Sequence, residues 1–313
     1  MSSILVSGLI NIEVTLRVDC FPIEYSPVRY PFHGVGSSVS GVGYNISKAL
    51  TTLGDKVRFV SITGQDGAAS LVQANLDREG IPGEYVIRGM EHTPHSVILY
   101  DEQGRRQINV DLKDVQEQGY PEALFDQALE TCELAVLCNV NYSRPLLHRA
   151  KRAGKPIATD VHTLANLHDA YNRDFMAAAD ILFMSDELLP VPPAVWARKV
   201  LDAYGPEIVV IGLGAEGALL AVRRDGFVAR IPAVSPRPIV NTIGAGDALF
   251  SAFVHYYCRD RDPYQAIQKA VVFAGYKIGT KGAAEGFVSE AELERLYGRL
   301  TTSGEISTAL GPR

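Results

Sequence analysis

The chain has 313 residues, of which 47% are hydrophobic and 21% charged, enough to bury a substantial core in one large or two ordinary domains and contrary to disorder. A formal net charge of −6 leaves no basic footprint, which excludes nucleic acid and anionic lipid as expected partners and favours a small molecule. Cys20, Cys132, Cys138 and Cys258 include no C-x-x-C pair, so small core thiols in a reducing compartment are expected rather than a zinc site.

The N-terminal MSSILVSGLINIEVTL has no basic segment, and Gly8, Asn11 and Glu13 break its apolar run. It reads as a strand and not a signal peptide, so a cytoplasmic location is expected. No uncharged apolar run approaches the roughly 20 residues that cross a bilayer, which excludes a membrane span. Short apolar runs then recur with helical stretches between them: Ile4 to Ser7, Val57 to Ile62, Leu134 to Leu137, Ile157 to Thr159, Ile181 to Met184 and Ile208 to Gly212. That alternation predicts an α/β fold with a mostly parallel central sheet covered by helices on both faces. YNISKALTTLG places Ile46, Ala49, Leu50 and Leu53 on one helical face and stops at Gly54, and SLVQANLDREGI repeats the pattern up to Gly80. Two stretches break the alternation. Residues 12–39 carry Pro22, Pro27 and Pro31, and residues 93–110 read as two strands around a Gly104 turn, so together they predict a small β lid over one edge of the sheet. The polar, aperiodic residues 301–313 read as a frayed tail after a domain spanning 1–300.

IVNTIGAGDALFSAF, Ile239 to Phe253, reads as a strand end, a glycine turn and a helix start. One reading of Asp247 is an N-cap. The other comes from Gly244, Ala245 and Gly246, whose small side chains let their amides point into one space at a helix N-terminus, which is an anion site. A carboxylate there repels an anion unless it takes a proton from the nucleophile attacking it, and phosphoryl transfer asks for that pair. GLGAEG after EIVVI matches a dinucleotide fingerprint, but ALLAVRRDGFVARI after it reads as two strands about Asp225 and Gly226 where a dehydrogenase needs a helix. His162 and His168 lack an obvious third ligand and read as ordinary histidines, and no metal ligands are assigned. Phe250, Phe253, Tyr256 and Tyr257 read as helix core.

NTIGAGDALFSAF resembles the C-terminal signature of the PfkB or ribokinase family of carbohydrate kinases, D-T-x-G-A-G-D. GLINIE (Gly8 to Glu13) is similar to its first strand, SGVGYNISKALTTLG (Ser40 to Gly54) to its G-G-x-x-x-N-x-A stretch, GQDGAA (Gly64 to Ala69) to its G-x-D-x-x-G turn, and GLGAEGA (Gly212 to Ala218) to its nucleotide loop. The resemblance implies a ribokinase-like three-layer core with a β lid, and a kinase that uses ATP and Mg²⁺ to phosphorylate a hydroxymethyl group of a small sugar, or of a nucleoside. It further implies that Asp247 is the catalytic base and that Gly244, Ala245 and Gly246 form the anion hole. Asn11, Glu13, Gly41, Gly43, Asn45 and Asn141 would face the acceptor, and Ser185, Gly212, Gly214, Gly217 and Thr242 the nucleotide.

The chain departs from the family pattern at informative places. Glu13 stands for the usual Asp, Ser40 for the first Gly, and Asn141 for a frequent acidic residue. SDELL puts Ser185 and Leu188 where the family's N-x-x-E has Asn and Glu, or Asp186 and Glu187 in a shifted register, which leaves open how magnesium is held. A non-catalytic ligand-binding protein of the same fold is the alternative class. Asn241 replaces the first Asp of the signature, which in potassium-activated members helps bind a monovalent cation beside the anion hole. A neutral amide argues against such an ion here, because its NH₂ can instead hold a backbone carbonyl of the loop. Tyr25, Tyr30, Phe32, Val97 and Leu99 would give the lid an apolar face suited to pairing two subunits.

Overall fold

A computed structural model describes residues 1–103 and 105–306. In chain order its strands are β1 (Ser3–Ser7), β2 (Asn11–Arg17), β3 (Val35–Ser40), β4 (Lys56–Thr63), β5 (Val86–Arg88), β6 (His95–Tyr100), β7 (Arg106–Asp111), β8 (Leu134–Leu137), β9 (Ile157–Asp160), β10 (Ile181–Ser185), β11 (Ile208–Gly212), β12 (Ala218–Val222) and β13 (Phe227–Ile231). The helices are α1 (Val42–Leu53), α2 (Gly67–Glu79), α3 (Glu122–Leu129), α4 (Arg144–Arg152), α5 (Arg173–Ala178), α6 (Pro193–Tyr204), α7 (Ala245–Asp260), α8 (Pro263–Lys277) and α9 (Glu290–Thr302).

Among the described residues the large sheet runs β13-β12-β11-β10-β9-β8-β1-β4-β5, parallel from β11 to β5 and closed at the other edge by the antiparallel β12–β13 hairpin. The apolar runs are continuous because both faces are buried. Ile4 and Val6 of β1, Leu134 and Val136 of β8, and Ile208 and Val210 of β11 join one apolar layer with α1, α7 and α8. Their neighbours Leu5, Ala135, Leu137, Val209 and Ile211 join the opposite layer with α3, α4 and α6. Phe250 and Phe253, three apart on α7, meet Phe183 of β10 edge-on at centroid distances of 4.9 and 5.2 Å, which seats α7 on the sheet.

The lid is a second sheet in the order β3-β2-β6-β7, in which β2 pairs antiparallel with β3 and parallel with β6. Its strands reach one residue past the expected limits, to Asn11, Ser40 and Asp111, and the Gly104 turn lies outside the described residues. Asp66, in the GQDGAA turn, caps α2 by accepting from the Ala69 amide and also accepts from the amide and hydroxyl of Thr93, so one carboxylate ties α2 to the start of the second lid segment. Tyr25, Tyr30, Phe32 and Val97 are exposed, whereas Leu99 is half-buried.

Three local expectations differ from the structure. Ile239 and Val240 form no strand; both are exposed, and the amides of Val240 and Asn241 donate to the Ile278 carbonyl in a loop. The ordered chain passes the expected boundary at Leu300, since α9 includes Thr301 and Thr302 and Ile306 packs back on the core; residues 307–313 lie outside the described residues. Cys20 is exposed, unlike the other three cysteines, because it lies in the proline-rich lid segment and not on a core element. No helix among the described residues is long and apolar enough to cross a membrane.

Candidate active site

The centre of the site is the start of α7. Gly244 is its cap, with φ of +75°, and a Cβ there would lie 2.4 Å from the Ala283 carbonyl oxygen, so both conformation and space call for glycine. The helix begins at Ala245, which makes Asp247 its third residue and not its cap, and its side chain makes no capping bond. The N-cap reading is therefore corrected: the left-handed turn at Gly244 starts the helix three residues before the carboxylate. Ala245 donates its amide to the Thr242 carbonyl at 3.2 Å, while Gly246 is exposed with no atom within 4 Å of a built Cβ. Helix geometry leaves the first-turn amides without intrahelical acceptors, and this end carries positive dipole.

Asp247 is half-buried and accepts a 2.7 Å hydrogen bond from the side-chain amide of Asn45 on α1. Burial raises its proton affinity above the ordinary aspartate range; the Asn45 bond and nearby His162 oppose that, and Asp160 adds to it. The result is a carboxylate closer to the pKa that suits a general base at neutral pH. Gly43 sits so close to Gly8, just past β1, that a Cβ would come within 2.4 Å of its carbonyl carbon, which seats α1 on the end of that strand. Beyond the end of α1, Asp55 forms a buried 2.8 Å pair with His255 of α7 and so holds the two helices together.

Asn11 and Glu13, two apart on β2, are both buried. Asn11 donates to Ser96 Oγ at 3.2 Å and Glu13 accepts from Ser40 Oγ at 2.9 Å, yet Asn11 Oδ1 and Glu13 Oε1 are buried with no partner. Burial also raises the Glu13 carboxyl above its usual range, against the Ser40 bond. Buried acceptors without protein donors ask for an outside donor, a water or a hydroxyl or amine of a bound molecule. Ser40 also lies 3.4 Å from Asn45 Oδ1, so a polar chain runs from Glu13 through Ser40 and Asn45 to Asp247. Gly41, at φ of +107°, makes the bend from β3 into α1.

Asn141 is engaged elsewhere: its backbone and side-chain amides donate to Gln116, and its oxygen accepts from Arg144. Ser185 Oγ accepts from the Glu187 amide, and Leu188 is exposed at φ of +69°. Gly217, with a Cβ position 2.1 Å from the Ile231 carbonyl oxygen, is fixed by strand packing, whereas nothing lies within 4 Å of a Cβ on Gly214 and only the Met184 carbonyl, at 3.8 Å, near one on Gly212. Thr242 accepts from Arg106 of β7 at 3.0 Å, which joins the lid to the glycine loop. Asn241 accepts from the Ile243 amide at 2.9 Å and donates to the Lys281 carbonyl at 3.0 Å.

Ser96, Arg106 and Lys277 were not singled out from sequence. Lys277 interrupts an apolar helical face, the one signal that marked it. Among the described residues no group of three or more His, Cys, Asp and Glu stands together as a metal cage. Asp160 at the end of β9 and Asp186 and Glu187 after β10 lie at the carboxyl ends of neighbouring parallel strands.

A family model described as pfkB family carbohydrate kinase matches residues 1–291. The chain is 24% identical over 296 residues to acarbose 7(IV)-phosphotransferase of Actinoplanes sp., covering 94% of this chain and 98% of that protein. It superposes with a TM-score of 0.86 on a microbiome-derived acarbose kinase, Mak1, at 26% identity, covering 95% of this chain and 99% of that one. The ribokinase of Giardia lamblia shares the fold with a TM-score of 0.81 at 18% identity, covering 96% and 99% of the two chains.

Proposed function

The chain belongs to the pfkB family of carbohydrate kinases, phosphotransferases that act on hydroxyl groups, and on that premise we propose that it transfers the γ-phosphoryl group of ATP to a hydroxymethyl group of a small sugar. The observation that carries this reading is the alignment of three features: first-turn amides of α7, the Asp247 carboxylate with its raised proton affinity, and the unpartnered acceptors Asn11 Oδ1 and Glu13 Oε1. In this reading Asn11 and Glu13 hold acceptor hydroxyls, and Asp247, oriented by Asn45, takes the proton from the attacking one. The loop amides meet charge on the moving phosphoryl group. Magnesium brought with ATP neutralises phosphate charge, and Asp160, Asp186 and Glu187 are the side chains that would hold its waters.

A binding protein has no use for a base beside an anion hole, whereas a kinase does. Pentoses, hexoses, acarbose-type aminosugars and nucleosides screened for ATP consumption, with the phosphate ester located by NMR, test the proposal. Transfer to a sugar hydroxymethyl group is the expected result. Transfer to nucleosides alone would replace the acceptor class, and acceptor and ATP binding with no transfer would favour the non-catalytic alternative.

Two further outcomes follow from the geometry. Because Asn11 and Glu13 lie on lid strand β2, acceptor should close the lid and exclude water that would otherwise consume the activated phosphoryl group. Amide exchange in residues 93–103 and 105–110 is expected to slow when acceptor is added; unchanged exchange in both lid segments counts against closure. With Asn241 bonded at both ends of its amide, turnover is expected to differ little between sodium, potassium and tetramethylammonium at constant ionic strength. Initial rates in the three salts check this.

A further inference from the structure

Lys277 ends α8 and has no exposed surface. Its ammonium donates to the carbonyl of Ile243, the residue just before Gly244. Around it stand the carboxylates of Asp247 on α7, Glu13 on β2 and Glu285 in the loop after α8, with Arg106 of β7 the opposing cation. A buried ammonium is costly unless charge and hydrogen bonds compensate it, and a methionine would fill the same space in an apolar helix face without that cost. Stability alone therefore gives no reason for this residue.

The peptide between Ile243 and Gly244 supplies one. A trans peptide is planar, with C=O and N–H on opposite sides, so an ammonium that holds the Ile243 oxygen also aims the Gly244 N–H the other way. The amide of Ile243 is held independently by Asn241. Both peptides flanking Ile243 are thus fixed by side chains of this chain. The carbonyls of Ile243 and Lys281, which could have coordinated a diffusible cation, already accept from Lys277 and Asn241.

We propose that Lys277 is a tethered cation that positions the anion hole and supplies beside it the positive charge a free monovalent ion would otherwise bring. The inference deepens the kinase reading and rests on it. Lys277 acts through the loop, as a positioning residue, and not on the acceptor. Burial pulls its ammonium down to about 8, against the three carboxylates, so it is charged at neutral pH and loses its charge in mildly alkaline solution.

The test compares the natural protein with Lys277→Ala, Lys277→Met and Lys277→Arg, using ATP and the best acceptor in tetramethylammonium, potassium and ammonium salts at constant ionic strength. The natural protein should vary by no more than about twofold between salts. Lys277→Ala should lose about 10²-fold in kcat in tetramethylammonium, with acceptor KM little changed, and regain activity in ammonium or potassium. Lys277→Met should lose kcat without rescue, because its side chain fills the space. The fall in kcat of the natural protein above pH of about 8 should move upward in Lys277→Arg. Full kcat of Lys277→Met in tetramethylammonium overturns the proposal, and so does strong potassium activation of the natural protein. Should Lys277→Ala and Lys277→Met melt out, Lys277→Arg decides: an alkaline fall in kcat that does not move in this variant overturns the proposal. No transfer by the natural protein to any acceptor removes the kinase reading and this inference with it, whereas transfer that depends on potassium removes this inference alone.

Discussion

Asp247→Asn is expected to lower turnover by about 10²- to 10⁴-fold, the contribution of a positioned general base, while ATP binding persists. The substitution keeps shape and an oxygen that can accept from Asn45, so the α1–α7 contact survives. Folding should not suffer either, because Asp247 does not cap α7. The sign of its pKa shift strengthens that expectation. A carboxyl whose folded pKa lies above its unfolded value adds stability at acid pH and loses that contribution as pH rises through the folded pKa. At neutral pH the natural protein therefore already carries the cost of a buried charge, which a neutral amide removes. Melting temperature at pH 7 should be equal or higher. Wild-type turnover on the true acceptor would sink the assignment of Asp247 as base, and a large drop in melting temperature would show instead that the carboxylate supports the fold.

Gly244→Ala should harm both fold and activity. A side chain in the left-handed region costs ~1–2 kcal/mol, and here the new methyl also meets the Ala283 backbone oxygen at 2.4 Å, which no rotamer relieves. The loop has to shift, carrying with it the amides of the anion hole, so kcat should fall by about 10²-fold or more. Gly246→Ala is the control, since nothing stands within 4 Å of its Cβ. That variant should melt like the natural protein and show its effect only in ATP affinity and transfer. Thermal melts and steady-state rates separate the two, and a Gly244→Ala protein with normal melting and normal turnover would refute the role given to this turn.

The core was legible because strands buried on both faces leave continuous apolar runs, and β1, β4, β8, β9, β10 and β11 all lie where such runs occur. The lid was legible by the opposite sign, proline and alternation in place of uniform apolarity. What stayed hidden depends on distance along the chain. Asn45 and Asp247 are 202 residues apart, and no local pattern announces their bond. Lys277 was masked by position: a lysine in the last turn of a helix usually serves the dipole in water, and only the fold shows this one turned inward to Ile243. Ile239 and Val240 misled because two β-branched residues before a turn look like a strand end, yet they stand in solvent and not in a sheet.

Asn11 and Glu13 belong to the same strand that pairs with β3 and β6 to make the lid. The groups proposed to recognise the acceptor are thus part of the lid that is proposed to shut over it. A substitution there that admits a bulkier acceptor also changes an interior strand of the lid, and, if the lid closes as proposed, the time product is retained. On the proposed roles, one strand would set both which acceptor is taken and how fast the site reopens, so a change of selectivity would be expected to carry a change of turnover.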